Sequence, residues 1–214
     1  VVSLAMTAAS GPSVAAQPAT PELKAAAAQC FGKAHSTWAQ IIEACTKVVK
    51  ANVTPGTKAG AYFNRGSAQL RLQFGGNALA DFSEAIKLKP KFARALEARG
   101  GIYVGQGKLD LALSDLNKAI GIDPNSSTAF HNRGMTYIGK KDFPKAIPDL
   151  TKAIELSPKD APSYAARGSA YLASGNPSKA LADLNKALEI DPKEMVALFN
   201  RGTLLAAQGK KDQA

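Results

Sequence analysis

NRGMTYIGKKDFPKAIPDLTKAIELSP, residues Asn132 to Pro158, opens on an Arg-Gly pair inside a run patterned as an amphipathic helix. A glycine in a helix interior costs about 1 kcal/mol relative to alanine, so it needs a reason. The pair recurs as Arg65-Gly66, Arg99-Gly100, Arg133-Gly134, Arg167-Gly168 and Arg201-Gly202, a spacing of 34 residues without a slip. The stretch is therefore one copy of an internal repeat, a small unit that shares a continuous core with its neighbours because it cannot bury its apolar faces alone. With 214 residues and 45% hydrophobic content there is material for a sizeable core, but length no longer counts domains.

Units set at 59–92, 93–126, 127–160 and 161–194, with an incomplete fifth over 195–214, align further positions when the first residue of each is place 1. Place 8 is always glycine. Place 20 is Ala78, Ala112, Ala146, Ala180 and Ala214; place 27 is Ala85, Ala119, Ala153 and Ala187; place 32 is Pro90, Pro124, Pro158 and Pro192. Larger apolar residues fall between them at helical spacing: Tyr62, Leu96, Phe130, Tyr164 and Leu198 at place 4, then Phe82, Leu116, Leu150 and Leu184 at place 24. Turn residues such as Gly105-Gln106-Gly107-Lys108 and Ser174-Gly175-Asn176-Pro177 divide each unit, and proline closes it. Each unit is predicted to be a helix, a short turn and a second helix, with small residues where the two touch.

This framework resembles the tetratricopeptide repeat, whose signature is a large residue, Leu-Gly, Tyr, then Ala, an aromatic, Ala and Pro at these places. Over residues 59–214 the resemblance implies an all-α fold, an α-solenoid of stacked helix-turn-helix repeats forming a right-handed superhelix. One departure is systematic. Where the family has Leu at place 7, this chain has Arg in all five units, and place 23 is Asp81, Asp115, Asp149 and Asp183 in the complete ones. Arg65, Arg99, Arg133 and Arg167 are expected to form a ladder of structural ion pairs with those aspartates, because a charge in the seam between two helices needs a partner to offset desolvation. Glycine at place 8 would then give the arginine backbone room. Repetition in every unit argues for scaffolding and against catalysis.

The front end is different. Residues 1–21 are Ala-, Pro- and Ser-rich with no charge, and read as the remnant of a secretory signal, with Val14-Ala15-Ala16 a small-residue cut before Gln17; a disordered leader is the alternative. No stretch is apolar enough to span a membrane, and Gln29 before Cys30 argues against a lipoprotein anchor. Residues 22–58 fit the period loosely and are expected to form a capping helical hairpin, with helices near Leu23–Gly32 and Thr37–Lys50. Cys30 and Cys45, the only cysteines, fall one on each. In an exported chain such a pair favours a disulfide, here stapling a hairpin that has only one neighbour; two buried free thiols in a cytoplasmic protein are the alternative. Paired cysteines ahead of the repeats are similar to those of exported bacterial members of the family.

No enzyme constellation emerges. Gly105-x-Gly107 is followed by Asp110 where a dinucleotide loop needs a third glycine, and there is no phosphate loop, nucleophile elbow or HExxH pair. His35 stands at no recognised ligand spacing, and His131 with Met135 on one helical face reads as groove lining ahead of a soft metal site, so no metal or cofactor is expected. The net charge of +10 is scattered over repeat positions without a basic run interleaved with aromatics, which argues against a nucleic-acid partner.

In this family the first helix of each unit lines a concave face through places 2, 5, 9 and 12. Carried over, the resemblance places Phe63, Ser67 and Leu70 there, then Arg94, Glu97, Gly101 and Val104, then Thr128, His131, Met135 and Ile138, then Ala165, Ser169 and Leu172. Small and apolar residues dominate, a surface for an extended peptide or an amphipathic helix. The cationic clamp that chaperone-binding members use for a C-terminal carboxylate has no counterpart, since Phe63, Ser67, Ala98, Thr128 and Asn132 include no cation. The expectation is a non-enzymatic, exported scaffold that binds a protein or peptide partner in an envelope assembly. The alternative is the repeat module of a longer enzyme whose catalytic domain lies beyond Ala214.

Overall fold

The computed structural model describes residues 20–32, 36–207 and 209, so His35, Ala214 and nearly all of the leader lie outside the described residues. Within them run eleven helices: α1 (Pro21–Cys30), α2 (Trp38–Lys50), α3 (Pro55–Arg71), α4 (Gly75–Leu88), α5 (Ala93–Gly105), α6 (Leu109–Ile122), α7 (Ser127–Gly139), α8 (Phe143–Leu156), α9 (Ala161–Ala173), α10 (Pro177–Ile190) and α11 (Met195–Ala207). Each helix packs on the next in sequence, and the first helices of neighbouring units touch as well, α5 on α7, α7 on α9 and α9 on α11. The architecture is an all-α repeat solenoid.

The turn between the two helices of a unit is fixed by one residue. Place 15 has positive φ every time: Gln73 at 63°, Gly107 at 69°, Lys141 at 59°, Gly175 at 73° and Gly209 at 75°. The backbone N–H one residue later then bonds back to place 11, as in Lys108 N to Tyr103 O at 2.9 Å and Asp142 N to Tyr137 O at 2.9 Å. That is a Schellman closure, which satisfies an otherwise orphaned helix carbonyl. Two units carry it on Gln73 and Lys141, side chains for which the left-handed conformation is strained.

The core is the second helix of each unit pressed on the first. Places 20, 24 and 27, for example Ala146, Leu150 and Ala153, are buried completely. Glycine at place 8 exists for this contact: an added Cβ at Gly134 would lie 2.7 Å from Leu150 Cγ, and at Gly100 2.8 Å from Leu116 Cγ. The sequence reading assigned that glycine to the arginine beside it; the space belongs to the place-24 side chain instead.

The front end is built with the same economy. Thr54 Oγ1 accepts from Thr57 N at 3.2 Å and Pro55 takes the first helical position, so α3 starts at Pro55, ahead of the period boundary at residue 59. Thr37 and Gln40 form a reciprocal capping box that starts α2. Cys30 and Cys45 are joined in a disulfide, with Cα atoms 4.8 Å apart, inside a cluster that includes Ala26, Ala44, Val48 and Ala61. No described helix is long and apolar enough to cross a membrane.

Candidate functional site

The place-7 arginines of the four complete units sit on the inter-helix seam, and each is held at three points. Arg133 donates from Nε to Asp149 Oδ2 and from Nη2 to Asp149 Oδ1, both at 2.7 Å. Arg65 meets Asp81, Arg99 meets Asp115 and Arg167 meets Asp183 in the same fork, at 2.7 to 2.9 Å. The aspartates are buried and the arginines largely so. Hydrogen bonding to the carboxylate raises each of these guanidinium pKa values further, against the opposing cost of desolvation. The third arm crosses to the preceding unit: Arg99 Nη1 to Ser83 Oγ at 3.1 Å, Arg133 Nη1 to Asn117 Oδ1 at 2.8 Å, Arg167 Nη1 to Thr151 Oγ1 at 3.0 Å. All three acceptors are place 25. The sequence reading missed this stitch because the position varies among Ser, Asn and Thr, and only its constant ability to accept a hydrogen bond marks it.

The residues expected to line the first-helix face divide into three groups. His131, Met135, Ile138, Ala165 and Ser169 come together, with Pro162, Glu194 and Val196, around an open pocket of about 210 Å³ between α7, α9 and α11. Ser67, Leu70, Glu97 and Thr128 line a second pocket of about 470 Å³, with Arg71, Phe82 and Ala98. The remainder serve the stack. Phe63 is buried against Phe82 and Phe92, ring centroids 5.7 and 5.0 Å away, and the Arg94 guanidinium caps it at 4.8 Å. Leu172 packs on the cluster around Leu184, Gly101 faces Asn132 at a distance where a Cβ would reach Nδ2 at 3.2 Å, and Val104 is half-buried.

Polar groups on this face are spent between units. Glu97 Oε2 hydrogen-bonds Ser126, the N-cap residue of α7, and burial pushes its carboxyl pKa up against the lowering effects of Ser126 and Arg94. Asn200 Nδ2 donates to Ser169 Oγ at 2.7 Å, and Ser169 in turn donates to Ala165 O. His131 Nδ1 lies 2.8 Å from Ser163 Oγ, which is fully buried and bonded to the Asp160 carboxylate at the N-terminus of α9. Ser, His and Asp thus meet, but Ser163 gives its proton to the carboxylate and not to the imidazole, so this is a helix-capping chain rather than an activated nucleophile. Burial lowers the His131 pKa, with Asp160 and Glu194 opposing. Among the described residues no group of three or more His, Cys, Asp or Glu side chains could hold a metal ion.

Two tetratricopeptide-repeat family models match, one over residues 59–127 and the other over 127–160 and 161–194. Similar solved structures include MamA 41-end from Desulfovibrio magneticus RS-1, with TM-score 0.68 at 17% identity over 82% of this chain and 98% of that one. YrrB, described as a TPR protein with an unusual peptide-binding site, superposes with TM-score 0.65 at 22% identity over 85% of this chain and 91% of its own. PilF of Pseudomonas aeruginosa gives 0.64 at 20% identity, over 71% and 69%. No curated protein matches the chain. At these identities the solved structures share the fold, and together with the repeat models spanning residues 59–194 they establish that the chain belongs to the tetratricopeptide-repeat family.

Proposed function

We propose that the chain is a non-enzymatic protein-interaction scaffold that holds a peptide or helix of a partner protein on its first-helix face, as part of an envelope assembly. One observation carries this reading: the pocket between α7, α9 and α11 is lined mainly by apolar groups, of which Met135, Ile138, Pro162 and Val196 keep solvent exposure while Ala165 forms its buried floor. Concave, largely apolar sites with a few polar groups are where proteins receive ligands. The Cys30–Cys45 disulfide and the uncharged leader support an oxidising compartment.

Capture of a partner from an envelope extract tests it. Met135→Glu is expected to abolish capture with helical content unchanged, because Met135 is half-buried and outside the sealed core. Capture is expected to survive moderate salt, whereas attraction of an acidic ligand to the +10 surface would be screened over about 10 Å at 0.1 M. Capture that ignores Met135→Glu and collapses with salt would move the site to the basic outer faces.

A further inference from the structure

We infer that the pocket between α7, α9 and α11 takes a tryptophan side chain from a separate partner protein, with His131 Nε2 accepting the indole N–H. This rests on the pocket reading proposed above and names what fills it.

The chain of hydrogen bonds fixes the chemistry. A carboxylate can only accept, so the Ser163 hydroxyl proton points to Asp160, and Ser163 Oγ has only a lone pair left for His131. His131 Nδ1 must therefore carry the ring proton. Among the described residues nothing hydrogen-bonds Nε2, which in the neutral ring is an acceptor. The other polar groups of the lining point the same way: Glu194 presents a carboxylate, and the Ser169 hydroxyl already donates to Ala165 O and accepts from Asn200. The pocket thus offers apolar surface and acceptors, with no free donor. Its complement is an apolar body that donates and does not accept. Among side chains only tryptophan is that, since hydroxyls also accept and Lys and Arg carry a charge. A thioether such as that of Met135 adds a favourable sulfur–aromatic contact. At about 210 Å³ the space is smaller than the roughly 300–1,000 Å³ of pockets that hold whole small ligands, and fits one side chain.

The charged groups facing His131 are Asp160, at 3.9 Å, and Glu194. Both favour the imidazolium, but burial outweighs them and keeps the ring neutral near pH 7. Acidification puts a proton on Nε2 and turns the acceptor into a donor.

Indole and 1-methylindole, which differ in the donor, are the probes, titrated against the full chain with the Met135 methyl and His131 imidazole nitrogen resonances observed by NMR. At pH 7.5 indole is expected to bind about three- to tenfold more tightly, the size of one net hydrogen bond, and to move the Nε2 resonance. The preference should vanish in His131→Phe and fade in the wild type as His131 protonates, so the wild-type pH series carries the comparison even if the variant does not fold. Equal affinities at every pH, both probes moving Met135, would overturn the inference and leave the pocket reading standing; no response of Met135 to either would overturn both. The chain's own Trp38 is 47% exposed. Self-association lost on Trp38→Phe would overturn the assignment to a separate partner and give the side chain to a second copy.

Discussion

The interior repeats and the front hairpin solve the same problem by different means. In the repeats a guanidinium ties the two helices of its own unit through aspartate and the preceding unit through place 25. The hairpin of α1 and α2 uses the disulfide where the repeats use an ion pair, and leans on α3 through Asn64 Nδ2 to Cys30 O at 3.0 Å and Arg65 Nη1 to Thr46 Oγ1 at 3.0 Å. A repeat between two others is held from both sides by such stitches; the hairpin, which among the described residues packs on α3, is also held within itself by a covalent bond. On α11, Arg201 Nη1 reaches Asn185 Oδ1, place 25 of the preceding unit, at 3.4 Å.

The sharpest way to break this comparison is inside a repeat. Asp149→Ala leaves the Arg133 charge in the seam without its fork and is expected to cost roughly 3–5 kcal/mol in chemical unfolding, while Arg133→Leu, which removes the charge with its bonds, costs less than half of that. Equal, small losses would show that the ladder is solvated and unimportant. At the hairpin, Cys30→Ala with Cys45→Ala is expected to cost about 3 kcal/mol by the chain-entropy account for a separation of 15 residues. Hydrogen exchange should place that loss in α1 and α2 while α7 to α10 stay protected, as expected of a quasi-one-dimensional stack. A uniform rise along the chain would contradict it.

Turn and pocket give smaller effects. Lys141→Gly, at φ 59°, is expected to stabilise by about 1 kcal/mol and Gly175→Ala, at φ 73°, to destabilise by a similar amount, both read from thermal unfolding. For His131 the folded-state pKa lies below the unfolded value, so the neutral ring's contribution is complete above about pH 6.5 and is lost as pH falls through the folded pKa. The stability difference between wild type and His131→Phe should therefore shift against the wild type only on acidification.

Most of the architecture was legible because the repeat writes it several times: helix pairs, closing prolines and the Arg and Asp of the ladder keep their identity at every 34th residue. What varied in identity was hidden. Place 25 changes among Ser, Asn and Thr, and place 15 reads as a turn only where it is glycine, as at Gly107 and Gly175, although Gln73 and Lys141 adopt the same conformation. The pocket was half legible. His131 and Met135 stood out as neighbours on one helical face, but the partner that sets the imidazole tautomer, Ser163, lies on the next unit and owes its place to the N-cap of α9. Phe63 and Leu172 occupy groove places by period yet are drawn inward, Phe63 because Phe82 and Phe92 form an aromatic cluster around it. A family pattern assigns faces; which side chains on a face remain free depends on what the next unit supplies.

The central functional claim, that the first-helix face around Met135 receives the partner, is tested most directly by site-specific photo-crosslinking in the native cell. A photoreactive side chain at Met135 is expected to give a discrete adduct with one partner, and the same group at exposed Lys118 on the second-helix face of α6 to give none. Adducts at position 118 and none at 135 would contradict the account.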